Sequence, residues 1–505
     1  MMQTTFSRLA RWLVAGAVGL AAASAPAAAG PSPAPAQAGA AAPLSPEQAA
    51  QDVRVLTRAL RALHPALTKY RSPAEIDAAF AAFEQRGRAA RTPVQMYLAA
   101  AELAVAIRCG HTWANVRNQE GAVKAALFDM PDKLPLHLSL VEGRWLVLAS
   151  ATPQVVAGDE VLAVNGVTGD ELVQGLLPYV RADGHSDGKR LRQLSHDRND
   201  FSPLDMVLPL LWPPKQGRYA LTLRTGQGTR REAAVPAMRL AAREAALAAQ
   251  GLVPTSEDWS LRIDGDTAVL AMPTWSFWNS RFDWAGYIDQ AFERLDREQV
   301  PNLVIDIRAN EGGDGAIGNR LIAHLTTRPI DDPLRQFVSA YERVPYALAR
   351  HLDTWDFGFF DRTGRVERIT EGTAQGQLAL TAKRGQVRRI EPVARPYAGR
   401  VFLLVGGENS SATFAFADLV QRHHLATLVG QATGGNQRGL NGGELAWVVL
   451  PNSGAAVDIP LLASTYDPTT PDAPVLPDVV VPPRFEARAA GVDLEMLAVR
   501  ALMVK

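Results

Sequence analysis

Val401-Phe-Leu-Leu-Val405 is an uninterrupted apolar run, and Gly406-Gly407-Glu408-Asn409 ends it. A short run of that kind reads as a buried strand. From Ser411 on, Ala412, Ala415, Phe416 and Leu419 fall at helical spacing. A buried strand that passes through a glycine turn into a helix restricts the chain to a layered α/β arrangement. Ser410 and Ser411 stand at the helix start. The first N–H groups of a helix lack intrahelical partners and carry the positive end of its dipole. A hydroxyl placed there is suited to become an alkoxide or an acyl ester, and the neighbouring N–H groups suit a developing oxyanion. Capping is the competing explanation, because Ser and Asn are the commonest N-caps. The stretch alone does not choose between the two.

The same unit recurs upstream. Asn302 to Ile307 reads as a buried strand, Arg308-Ala-Asn-Glu-Gly-Gly-Asp-Gly315 as a turn, and Ile317 to Leu325 as a helix. Before it, Thr267 to Met272 reads as a strand and Trp284 to Arg297 as a helix. A length of 505 residues leaves room for about three domains, and 47% hydrophobic residues support real cores. Fifty-two basic residues balance 52 acidic ones. That neutrality gives no reason to expect nucleic acid or an anionic membrane as partner. Cys109 is the only cysteine, which excludes an internal disulfide and a cysteine-built metal site. No zinc-type histidine spacing, phosphate loop or dinucleotide fingerprint appears, so no cofactor and no metal are expected.

The N-terminus has the pattern of a secretory signal peptide: Arg8 and Arg11, an apolar run from Trp12 to Ala23, then small residues around Ala25 to Ala29. The expected organisation is a signal peptide over 1–29 and an Ala/Pro-rich linker over 30–43. A helical domain follows over 44–117, then a β-rich domain over 130–235 and an α/β core over 236–505. No cysteine near the cleavage site offers a lipid anchor, and no later stretch is long and apolar enough to span a bilayer. The expectation is a periplasmic or secreted protein without stable membrane insertion.

Three helices are expected between 45 and 108. Ser45-Pro-Glu-Gln48, Ser72-Pro-Ala-Glu75 and Thr92-Pro-Val-Gln95 are capping boxes with Pro at the first helical position. Gly110 suits the left-handed residue that ends a helix. His111 to Val116 alternates like a strand, which puts His111 at a junction from which a side chain can enter a cleft. Leu134 to Ser150 reads as a hairpin turning at Glu142-Gly143. Gly158-Asp-Glu-Val-Leu162 with Val164-Asn-Gly166 resembles the core of a PDZ domain, with Tyr219 to Arg224 as a late strand and an insertion over about 180 to 215.

Four segments in order resemble the C-terminal processing and tricorn-like group of serine peptidases, the S41 or tail-specific peptidases. They are Val304-Ile-Asp-Ile-Arg-Ala-Asn-Glu-Gly-Gly313, Ser410-Ser-Ala412, Leu428-Val-Gly-Gln-Ala-Thr-Gly-Gly435, and Leu450 to Gly454 with Pro477-Asp478. The resemblance implies an N-terminal helical segment, a PDZ-like β-rich domain and a crotonase/ClpP-like α/β catalytic core, with a polypeptide as substrate. It implies Ser411 as nucleophile, Ser410 as cap, and an oxyanion hole from the N–H groups of Ala412 and Gly313, with Gly312 close by. Members with a Ser-Lys dyad carry a lysine where this chain has Asn436, and beyond residue 300 only Lys383 and Lys505 occur. Tricorn-like members take a His from the segment ahead of the PDZ domain, and His111 fills that register. A neutral imidazole can accept the Ser Oγ proton near neutral pH. Asp472 and Asp467 are the candidates for a relay acid, with Thr112 or a water completing the relay, although either Asp also reads as a turn residue.

Two other functions compete. One is a catalytically inactive ligand- or peptide-binding protein on the same fold, as the photoreceptor retinoid-binding proteins resemble this family. The other is a crotonase-like acyl-CoA enzyme. His196, in the insertion, is the rival base. Asp306 and Arg308 are expected to brace the glycine turn, His324 to pack, His423 and His424 to close the Ser411 helix, and Trp275 and Trp278 to form core or cleft wall. The sequence carries no signal of oligomeric state.

Overall fold

The computed structural model describes residues 43–196, 202–251, 258–278, 280–333, 335–371, 375–381 and 387–504. The expected signal peptide and all but the last residue of the linker lie outside them. Helices α1 (Pro46–Leu63), α2 (Pro73–Ala89) and α3 (Pro93–Ala106) open the described chain. Ser45 and Ser72 form both halves of their capping boxes. Thr92 forms only one, because Gln95 Oε1 accepts instead from Arg91 N–H at 2.7 Å. Val53, Leu56, Leu60, Met96, Ala100 and Leu103 are buried along the expected faces.

Two expectations fail just after α3. Arg108, at φ 61, takes the left-handed turn, and Gly110 does not. Glycine is required at 110 for another reason: a Cβ there would lie 2.6 Å from Asp183 Oδ2. The strand from His111 does not form either. Trp113 makes one bridge to Asp458, and Asn115 and Asn118 donate to the Asp458 carboxylate at 2.8 and 2.7 Å. The polar positions of the alternating pattern serve that clamp and a 3-10 turn over Val116–Asn118 instead of a ladder.

Strands β1 (Leu136–Val141) and β2 (Arg144–Ser150) form the expected hairpin. Glu142 and Gly143 both have positive φ, 51° and 75°, as a two-residue turn matched to strand twist requires. With β3 (Glu160–Val164), β4 (Arg218–Arg224) and β5 (Arg230–Pro236) they make an antiparallel sheet in sequence order. Helix α4 (Gly169–Leu176) follows β3, and the insertion before β4 folds into α5 (Asp187–Gln193) and α6 (Pro203–Leu211). Helix α7 (Leu240–Ala248) leads to the second sheet.

That sheet contains β6 (Ser260–Asp264), β7 (Thr267–Ala271), β8 (Asn302–Asp306), β9 (Arg400–Val405), β10 (Thr427–Gly430) and β13 (Val479–Val480), in the order β13-β10-β9-β8-β7-β6. It is parallel except for β6. Leu303, Ile305, Leu403 and Val405 face a core shared with α8 (Trp284–Arg297), α9 (Gly315–Leu325) and α10 (Ser411–Arg422). Val304, Phe402 and Leu404 face the other way, against Val499 of the C-terminal helix. Burial on both faces explains the unbroken apolar runs in β8 and β9. Each large side chain so buried contributes roughly 1.5–3 kcal/mol.

The hairpin β11 (Leu445–Val449) and β12 (Ala456–Pro460) leaves this sheet. Ala446, Val448, Val457 and Ile459 pack in one core with α1 to α3 and the first sheet. That packing carries the N-terminal helices to the end of the molecule where the glycine turns lie. No helix among the described residues is long and apolar enough to cross a membrane.

Candidate active site

The turns after β8 and β9 lie side by side, because their strands pair in parallel register from Arg400↔Asn302 to Leu404↔Asp306. Asn409 fastens them. Its Oδ1 accepts from Gly406 N–H at 2.8 Å, and its Nδ2 donates to Ile307 O and, at 3.0 Å, to Asn310 O. Its carbonyl accepts from Gly434 and Gly435 N–H at 2.7 and 2.9 Å, which adds the turn after β10. Asn310 supports the first turn from within: Nδ2 donates to Met272 O and Oδ1 accepts from Gly312 N–H. The Arg308 guanidinium grips Asp306 and reaches Asp493, so the expected bracing extends to the C-terminal helices.

Ser411 is the first residue of α10 and has φ 49. This left-handed conformation is uncommon for a residue with a Cβ, and such residues cluster at functional sites. A Cβ on Gly312 would lie 2.9 Å from Ser411 Cβ and 3.2 Å from Ala412 N. A Cβ on Gly313 would collide with the Trp275 carbonyl at 2.2 Å. Ser411, Ala412, Gly312 and the adjoining Gly313 therefore come together as expected. Their N–H groups differ in availability, however. Gly312 N–H donates to Asn310 Oδ1 at 2.9 Å, which removes it as an oxyanion donor. Gly313 N–H has no partner among the described hydrogen bonds, and Ala412 N–H lies in the uncapped first turn of α10.

Ser410 occupies the N-cap position, but its side chain does not cap. Its hydroxyl donates to Glu311 O at 2.9 Å and accepts from Lys189 Nζ at 2.7 Å. Lys189, buried on α5, also donates to Glu311 Oε1 at 2.8 Å, and Arg181 donates to the same oxygen at 3.0 Å. The Glu311 side chain is half exposed, and whatever desolvation it suffers is outweighed by these two cations, which hold its carboxyl well below its usual range.

His111 follows α3, with its ring over Gly442 and Nδ1 buried without a hydrogen-bond partner. No described hydrogen bond joins it to Ser411. Burial lowers the imidazole's proton affinity, Asp183 and Glu311 oppose that, and Arg181 and Lys189 reinforce it. Asp183 also accepts from Gly110 N–H at 2.8 Å.

Neither candidate relay acid touches His111. Asp467 is exposed and closes its own turn by accepting from Thr469 N–H at 2.8 Å. Asp472 accepts from His185 N–H and from Asn436 Nδ2 at 3.0 and 2.6 Å, and pairs with His185 Nδ1 at 2.7 Å. Thr112 is turned to His64 at 2.9 Å, away from a relay to His111. His196 is ruled out as a rival base: its Nδ1 accepts from Leu138 N–H and its Nε2 faces Asp205 in a buried pair. His324 packs on Phe292 and bonds Asp289, and Trp275 is core while Trp278 is exposed. Sequence reasoning missed Lys189, Arg181 and Asp183, because the segment from Arg181 to Lys189 has no fixed spacing from either serine. Among the described residues no cluster of three or more His, Cys, Asp or Glu is placed to hold a metal.

Residues 266–468 match the family model for Peptidase family S41. No curated protein sequence matches the chain. Among solved structures, mature CPAF complexed with lactacystin superposes with a TM-score of 0.57 at 15% identity, covering 88% of this chain and 95% of that one. Mature CPAF gives 0.56 at 15% identity, covering 88% and 94%. At that identity the likeness speaks to the fold. The family match spans β7, both glycine turns, α10 and the β11–β12 hairpin, so residues 266–468 form a Peptidase family S41 domain and the chain is a serine-type peptidase.

Proposed function

We propose that the chain is an exported peptidase that cleaves peptide bonds through an acyl-enzyme on Ser411, with His111 as general base. The observation that carries this reading is the strained, uncapped helix start at Ser411, with Gly312 so placed that a Cβ on it would run into Ser411 Cβ and Ala412 N. In the first step His111 takes the Oγ proton as Oγ attacks the scissile carbonyl. The oxyanion receives the N–H groups of Ala412 and Gly313, and each such donor is worth on the order of 10² to 10³ in rate. The proton then passes to the leaving amine, and water repeats the sequence on the acyl ester. The lowered proton affinity of His111 supports the neutral form that a base requires. In this reading Asp183 and Glu311, the carboxylates that act on His111, stabilise the imidazolium in place of Asp472 and Asp467.

Fluorophosphonate labelling of the full chain and its variants tests this. Label on wild type that disappears in Ser411→Ala and falls sharply in His111→Ala supports it. Label that persists in Ser411→Ala, or none on wild type, sinks it. The missing bond between His111 and Ser411 favours a second reading, a protein that binds peptide without cleaving it. Catalytic hydrogen bonds are often long without substrate, so this gap alone does not displace the first reading.

A further inference from the structure

Lys189 has a 2% exposed side chain. A buried ammonium is costly unless it is paired and hydrogen-bonded. Both described side-chain bonds of this one go to the site: Ser410 precedes Ser411, and Glu311 precedes Gly312. The Ser410 hydroxyl closes the ring by donating to Glu311 O at 2.9 Å. Arg181 extends it, bonding Glu311 and donating to the carbonyl of Gly110, the residue before His111. One run of polar contacts thus joins the peptide before Ser411 to the peptide before His111. Its two cationic links, Lys189 and Arg181, belong to the insertion, and Glu311 of the S41 domain's glycine turn joins them.

We propose that Lys189 is a positioning residue. It holds the two glycine turns at the spacing that aims Ala412 and Gly313 at one substrate oxygen, and through Glu311 and Arg181 it carries that spacing to His111. An ammonium has three donors and no lone pair, and its partner is Ser410, so Lys189 is not the base. The inference rests on Ser411 being the nucleophile.

The charges acting on His111 are Arg181 and Asp183 ahead of α5, Lys189 on α5 and Glu311 in the glycine turn. The loop 440–442 over the ring adds none. Removing Lys189 takes away a positive charge that disfavours the imidazolium. His111 then holds its proton to higher pH, and the acid limb of the rate profile moves up. Removing the Glu311 charge moves it down.

The experiment measures the rate of fluorophosphonate labelling at Ser411 against pH for wild type, Lys189→Met, Lys189→Arg and Glu311→Gln. Lys189→Met is expected to lower the plateau rate by about 10- to 100-fold, as small displacements of reacting groups do, and to raise the acid limb. Lys189→Arg should lose rate with the limb in place, and Glu311→Gln should lower the limb. A loss of packing alone would not move the limb in opposite directions. Wild-type labelling with an unchanged rate and limb in Lys189→Met overturns this inference and leaves the nucleophile standing. An unlabelled wild type overturns both. If Lys189→Met does not fold, Glu311→Gln decides: a lowered limb supports the network, and a fixed one overturns it.

Discussion

The two strand-turn-helix units of the S41 domain are built alike and finished differently. After β8, the left-handed conformations fall on glycines, Gly312 at φ 127 and Gly313 at φ 138. The helix that follows is capped in the ordinary way, with Asp314 accepting from Ala316 N–H at 2.9 Å. After β9, the left-handed residue is Ser411, and the N-cap hydroxyl of Ser410 is drawn aside to Lys189 and Glu311. The first unit follows the local rules of turn and cap. The second breaks two of them, and it does so where the chemistry is proposed. Local strain and an unfilled cap cost stability, so their persistence points to a role for the N–H groups and hydroxyl left open there.

That contrast can be broken by substitution. Ser411→Ala should reduce peptide hydrolysis by on the order of 10⁴- to 10⁶-fold, measured on a labelled protein substrate, while the fold melts as wild type does. Gly312→Ala pushes a methyl at Ser411 Cβ and Ala412 N, and the labelling rate should fall by about 10² to 10³. Gly313→Ala adds a collision with the Trp275 carbonyl to an unfavourable φ and should cost about 3 kcal/mol in denaturant unfolding. Asp314→Ala removes a true cap, so about 1 kcal/mol should be lost with the labelling rate nearly unchanged. If Asp314→Ala and Gly312→Ala proved equally harmful to rate, the division between a supporting and a reacting unit would fail.

The pH profile sharpens the same division. The proposed base, His111, must be neutral to accept a proton, and burial pushes it below its ordinary value. The acid limb of the labelling rate should therefore have its midpoint below about 6.5. A midpoint above that value would mean that another group titrates. The smallest effect is expected at Asp467, whose carboxylate serves only its own turn among the described bonds. Asp467→Asn should change stability by less than about 0.5 kcal/mol and leave the rate alone.

Much of the S41 domain was legible because its signals are local. The apolar runs of β8 and β9 report strands buried on both faces, and Gly312, Gly313, Ser410 and Ser411 report the turns that follow them. The capping boxes at Ser45 and Ser72 marked helix starts for the same reason. The readings that failed were local patterns overruled from a distance. Asp458 pulled Asn115 out of an expected strand. Asp183 explains Gly110 better than a helix end does. Lys189 took the Ser410 hydroxyl away from capping.

By itself the sequence determined the two strand-turn-helix units, the residues at their tips and the absence of a lysine at the family's position, Asn436. Tertiary structure decided which polar groups surround those tips. Lys189, Arg181 and Asp183 come from a segment more than 200 residues before Ser411, and His111 from 300 before. Their placement depends on the shared packing of α1 to α3, the first sheet and the β11–β12 hairpin. Hydrogen-bond and charge networks close through space, where no spacing along the chain records them, whereas turns and helix starts are set by neighbours a few residues apart.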